Sequence, residues 1–137
     1  MALTHLVDAS VLTRMRHPSV REVVEPMAAA GVLARAGVTD LEVGYSARSA
    51  KEWDRLIGSL DAFELVETTA DHMRRARQVQ RLLAARHQRG RKIPDLLIAA
   101  AAEARDLAVL HCDTDFDRIA AITGQRAEWV VRAGTVD

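Results

Sequence analysis

Ile93-Pro94-Asp95-Leu96-Leu97-Ile98-Ala99-Ala100 opens the stretch that decides the fold, and Ala108-Val109-Leu110-His111-Cys112-Asp113 closes it. From Leu96 to Leu107 the residues are apolar and Ala-rich nearly all round, which predicts a helix buried at the centre of a domain. Ala108 to Cys112 is a short apolar run, predicted as a buried strand that delivers Asp113 at its end.

Outward from this unit the same alternation recurs. Thr4-His5-Leu6-Val7-Asp8 reads as a short buried strand ending in an acid. Ser10 to Met15 begins a helix, and Pro18 suits the first turn of a second one, through Val20, Val23, Val24 and Met27, that Gly31 can end. Leu33 to Val38 is a weaker strand. Thr39-Asp40-Leu41-Glu42 then fits the capping-box pattern for a helix reaching about Leu60. Phe63 to Glu67 alternates like a strand, and Thr69-Ala70-Asp71 starts a long helix to about Gln88, stopped by Gly90. Asp115 to Ala120 is a short helix closed by Gly124, and Glu128 to Val131 a last strand. Strands alternating with helices imply a three-layer α/β/α sandwich around a central, mainly parallel sheet.

In such a fold the strand C-termini and helix N-termini share one rim, where ligands bind. Asp8, Glu42, Asp95 and Asp113 each fall at such a boundary. Each has an innocent explanation. Asp95 and Asp113 could be helix N-caps, a role worth about 0.5–2 kcal/mol. Glu42 could be the reciprocal partner in the Thr39 capping box. Asp8, directly after Leu6-Val7, lies too near the core to dismiss in that way. Together, four carboxylates on one rim would repel one another unless a cation neutralised them. Hard oxygen donors in that number favour Mg²⁺ or Mn²⁺, ions suited to phosphate chemistry.

Around this quartet, Ser10 and Thr114 could orient a carboxylate or a metal-bound water through a hydroxyl, and Asp115 or Asp117 could join the metal site. His111 lies two residues before Asp113, on the same side of an ideal strand. A hydrogen-bonded strand-end histidine is the simpler reading of it, a general acid or phosphate contact the bolder one. His17, His72 and His87 read as surface residues, and Cys112 as inert within its strand. No His/Cys spacing for zinc is present.

The chain carries no net charge, but residues 71–105 hold nine Lys and Arg against three Asp and Glu. From Arg74 to Lys92 there are eight positive side chains and no acid. Within the long helix Arg74, Arg77 and Arg81 lie opposite the apolar face of Ala76, Val79 and Leu83. With no acidic partners inside the run, these residues, together with Arg91 and Lys92 beside Asp95, suit the phosphate backbone of a nucleic acid.

At 137 residues, 49% of them hydrophobic, the chain (1–137) can form one domain with its own core. A lone cysteine, Cys112, allows no intrachain disulfide and fits a reducing cytosol. Met1-Ala2-Leu3-Thr4-His5 does not read as a signal peptide, and no apolar run approaches membrane length. A cytoplasmic protein with no membrane contact is expected.

These motifs carry a family likeness. Val7-Asp8-Ala9-Ser10-Val11-Leu12, Leu41-Glu42-Val43, Ile93 to Ala100 and Leu110 to Ile119 follow one another in the order seen in PIN-domain ribonucleases. The chain resembles in particular the VapC-like toxins of bacterial toxin–antitoxin modules. The resemblance implies an acidic quartet of Asp8, Glu42, Asp95 and Asp113, with Asp8 and Asp95 as direct Mg²⁺ ligands. It implies an RNA substrate, a homodimer, and a cognate VapB-like antitoxin whose C-terminal segment wraps the toxin and occludes the site. His111 stands where many relatives carry Thr or Ser. The basic helix is no part of the family pattern. The expected activity is that of a Mg²⁺- or Mn²⁺-dependent endoribonuclease in the bacterial cytoplasm, with Glu42 or Asp113 orienting the attacking water. An RNA-processing nuclease without an antitoxin is the nearest alternative. A phosphoacceptor signalling domain would want an acidic pair after the first strand and a lysine after the last, and neither is present. An inactive protein-binding module would have no use for an intact quartet.

Overall fold

In the computed structural model, which describes residues 2–88 and 92–137, the sheet is built from β1 (His5–Val7), β2 (Leu33–Ala36), β3 (Glu64–Val66), β4 (Ala108–His111) and β5 (Ala127–Trp129). Every pairing is parallel and the order is β3-β2-β1-β4-β5. The strands are joined through α1 (Ala9–Leu12), α2 (Pro18–Ala29), α3 (Gly37–Gly44), α4 (Ala50–Gly58), a 3₁₀ turn at Ser59–Ala62, α5 (Ala70–Ala85), α6 (Ile93–Ala104) and α7 (Asp115–Thr123).

Successive strand residues point to opposite faces, so each strand feeds two cores. Leu6, Ala34 and Val109 pack with Ala76, Val79, Leu83, Ile98 and Phe116 beneath α5, α6 and α7. Val7, Leu33 and Leu110 pack with Val11, Val20, Val24, Leu60 and Phe63 on the other side, beneath α1 and α2. This is the expected α/β/α sandwich, and the reason its inner strands β1, β2 and β4 are almost wholly buried. Winding reverses between β1 and β4, because the chain leaves β1 towards β2 and β3 but leaves β4 towards β5. A crevice opens at such a switch point, beyond the strand C-termini.

Two expectations fail between residues 37 and 60. No capping box forms at Thr39: α3 starts at Gly37, directly after β2, with Ala36 as its N-cap. Thr39 is inside the helix and fully buried, so Glu42 is free of any capping role. Nor does one helix run to Leu60. The chain breaks after Gly44, where a Cβ would lie 2.5 Å from Trp53 Nε1, so α4 crosses α3 too closely for a side chain. Ser49 restarts the helix by accepting the Glu52 backbone N–H at 3.1 Å. Arg35 braces the junction from within: it is buried, pairs with Asp40 at 2.7 Å and donates to the Leu60 carbonyl at 2.9 Å.

Other boundaries move less. α5 ends at Ala85, and Gly90, its expected stop, lies outside the described residues. β5 stops at Trp129. Cys112 lies just beyond β4 and is half-buried, not enclosed in a strand. His72 is buried, not on the surface, because its ring completes a capping box with Thr69.

Candidate active site

A cavity of about 550 Å³ occupies the crevice, and Asp8, Glu42, Asp95 and Asp113 all line it. Each arrives from a different element. Asp8 follows β1 and caps α1, its Oδ2 accepting the Ser10 backbone N–H at 2.9 Å. Glu42 projects from α3, two turns after β2. Asp95 is the third residue of α6, not its cap; Lys92 stands at the cap position and makes no side-chain cap bond. Asp113 follows β4, and its Oδ1 accepts the Asp115 backbone N–H at 2.9 Å.

The decisive feature is what these carboxylates lack. Asp8 Oδ1, Glu42 Oε1 and Asp95 Oδ2 are buried without a hydrogen-bond partner among the described residues. Asp8 and Asp95 are each only 3% exposed. Burying an unpaired carboxylate is costly, and a metal-free site answers by holding protons. Burial first, then Asp8 and Asp113, pushes the Asp95 carboxyl up to about 8. Burial and Asp8 push Glu42 to about 7. Asp8 is raised as well, its burial outweighing the hydrogen bonds from Ser10. Asp113 departs the other way. Burial works to raise it, but the Asp115 N–H and the Lys92 ammonium, 2.9 Å from Oδ2, hold it below the usual carboxylate range.

Asp115 belongs closer to the centre than a supporting role would put it. One oxygen each from Asp95, Asp113 and Asp115 lie within 4.8 Å of one another, the spacing of ligands around a single cation. Ser10 works through its backbone and its hydroxyl, which accepts the Cys112 N–H at 2.9 Å and ties α1 to the end of β4. Thr114 borders the cavity and makes no side-chain cap bond. His111 is fully buried, and its Nδ1 accepts the Asp113 backbone N–H at 3.2 Å. Burial lowers its pKa, against the pull of Asp117, Asp8 and Asp113. It is the hydrogen-bonded strand-end histidine.

The basic residues divide. Lys92 is inside the site, paired with Asp113. Arg91 lies outside the described residues. Arg74, Arg77 and Arg81 line a separate groove on α5 with Gln78 and Gln80. Arg74 pairs with Asp71 one turn back, and Arg75 with Glu103 at 2.7 Å, so acidic partners lie just before the run and across on α6. Glu103 is two helical turns past Asp95, so the start of α5 sits roughly 12 Å along α6 from the carboxylates. Several cavity residues had no sequence signal, Arg14 and Trp129 among them. Arg14 brings a guanidinium to the wall, and Trp129 brings an indole.

A PIN domain model matches residues 5–122, which span all four acids. Ribonuclease VapC51 of Mycobacterium tuberculosis is 63% identical over 137 residues, covering 100% of both chains. The chain belongs to the PIN-domain family. The fold of this PIN domain matches a DNA-bound VapBC structure from Salmonella typhimurium with a TM-score of 0.77, at 20% identity over 94% of this chain and 99% of the other. A VapBC-5 structure from Mycobacterium tuberculosis, described as a toxin–antitoxin family member, is 26% identical with a TM-score of 0.60, covering 93% and 96% of the two chains. Among the described residues of this PIN domain, no helix is long and apolar enough to cross a membrane.

Proposed function

We propose that this PIN domain is a divalent-metal-dependent endoribonuclease acting as the toxin of a toxin–antitoxin pair. The observation that carries the reading is the set of buried, unpartnered carboxylate oxygens of Asp8, Glu42 and Asp95 around one cavity. The carboxylates form an all-oxygen donor set, which fits Mg²⁺ or Mn²⁺. Asp95, Asp113 and Asp115 would hold the ion, with Asp8 beside them. Bound there, it would supply Lewis acidity, lowering the pKa of a water and neutralising charge on the phosphate.

The remaining steps belong to side chains. Asp113 has one oxygen on the Asp115 N–H and the other on Lys92, which leaves it poorly placed to take a proton. Glu42 has a free Oε1 on the cavity wall and a carboxyl near neutrality, which supports it as the group that accepts the proton of the attacking water. Arg14 and Lys92 would hold the phosphate at the rim. The exposed arginines of α5 would add diffuse contacts to the RNA backbone further out.

For the partner, an apolar groove lined by Leu12, Met15, Val43, Leu56, Leu60 and Phe63 ends at Glu42. A segment of an antitoxin lying in it would reach the carboxylates and block them. Exposed Leu41, Tyr45 and Ile93, on α3 and at the start of α6, support a homodimer. The test is direct. Purified protein should cleave single-stranded RNA in Mn²⁺ or Mg²⁺ and not in EDTA, and the antitoxin encoded beside it should suppress cleavage. Equal cleavage in EDTA would refute the metal-dependent reading.

A further inference from the structure

We propose that the Trp129 indole is the surface on which an unpaired nucleobase of the RNA stacks, next to the cleaved phosphate; this rests on the ribonuclease reading above. Trp129 ends β5 and pairs in register with His111, so both side chains leave the same face of the sheet. Their rings lie 5.0 Å apart, tilted by 58°. The indole N–H donates to both Asp117 oxygens, at 3.2 and 3.1 Å. The ring is therefore fixed before any ligand arrives.

It is also not consumed by packing. Phe116, whose ring lies 5.2 Å from that of His111, is 1% exposed and belongs to the core. Trp129 is only half-buried and borders the cavity of Asp8, Asp95 and Asp113. Charged and hydroxyl side chains make up much of that wall, and they suit a phosphate. A base needs a flat apolar face instead, and a pre-fixed aromatic loses little freedom in providing one. Stacking accepts any base, so Trp129 contributes register and affinity without reading sequence. Asp117 and His111 act through it as positioning residues.

The experiment uses the full chain carrying Trp53→Phe, which leaves Trp129 as its only tryptophan. Its probe is a short single-stranded RNA spanning a site the protein cleaves, with Ca²⁺ replacing the activating ion. The RNA should quench Trp129 emission saturably, and the same RNA with an abasic residue beside the cleaved phosphate should not. In steady state, Trp129→Ala should raise KM by about tenfold or more with kcat within about threefold, and Trp129→Phe should recover most of the loss. In a chain that cleaves RNA, unchanged Trp129 emission overturns the inference and leaves the ribonuclease reading intact. So does a Trp129→Ala variant that loses kcat at constant KM. Should Trp129→Ala fail to fold, the emission titration and Trp129→Phe decide alone. Absence of RNA cleavage by the unaltered chain in Mn²⁺ overturns the ribonuclease reading, and the stacking role with it.

Discussion

The acidic rim and the basic face of α5 are both densely charged, and they are built in opposite ways. On the rim, carboxylates from separate elements are buried together with oxygens left unpartnered. On α5, Arg74 and Arg75 are half-buried to exposed and ion-paired to Asp71 and Glu103. Exposed, paired charge is comfortable where it is and contributes little either way. Buried, unpaired charge must instead take up a proton or a ligand. The sequence signal for the rim was single acids after β1, after β4 and in the first turn of α6.

Replacement of Asp95 should open the widest gap between the regions. Asp95→Asn removes a donor from the cluster, and cleavage should fall on the order of a thousandfold or more, as for loss of one member of a cooperating catalytic set. The same change should not harm folding, because the metal-free fold already favours a neutral group there. Undiminished turnover in excess Mn²⁺ would remove Asp95 from the machinery.

The second expected effect is on stability. Asp95 and Glu42 are raised from 3.8 and 4.5 to about 8 and about 7. Between those limits the native state holds protons that the unfolded chain releases, so stability declines as pH rises. The metal-free protein should therefore lose Tm from about pH 4 to about pH 8, and Mn²⁺ or Asp95→Asn should flatten the decline. A metal-free Tm that climbs through this range would mean the rim is not under strain.

Smaller effects test the cations. Lys92→Met removes an ammonium that competes for Asp113 and should tighten Mn²⁺ binding about two- to fivefold, in keeping with an ion pair exposed on the lysine side. Neutralising Arg77 and Arg81 together should leave kcat alone and lower the salt dependence of RNA binding by about one unit of slope for each phosphate that goes unneutralised. A large loss of kcat would instead place α5 in the chemistry. Arg75→Ala should lower stability by about 1 kcal/mol or less through Glu103, with no effect on cleavage.

Much of this was legible from residues 93–113. A helix without a polar face leading into a strand without one fits burial against a covered parallel sheet, which sets Asp95 and Asp113 on one rim. What stayed hidden depended on contacts distant in sequence. Thr39-x-x-Glu42 fits a capping box, but β2 runs straight into α3 and sets the start three residues earlier. The cap that does form, Ser49 with Glu52, follows the same rule and was masked by an apparently continuous helix. The Trp53 ring packed on Gly44 at that break is a contact the sequence does not show. Trp129 was unreadable for the same reason: its place in the wall depends on β5 pairing beside β4.

Calorimetric titration of the metal-free protein with Mn²⁺ in buffers of different ionisation heat tests the shared carboxylate pocket most directly. Saturable binding should release protons, because cation binding displaces those held by Asp95 and Glu42, and both the binding and the release should collapse in Asp95→Asn. Binding that releases no protons, or that persists undiminished in Asp95→Asn, would mean these carboxylates do not share an ion.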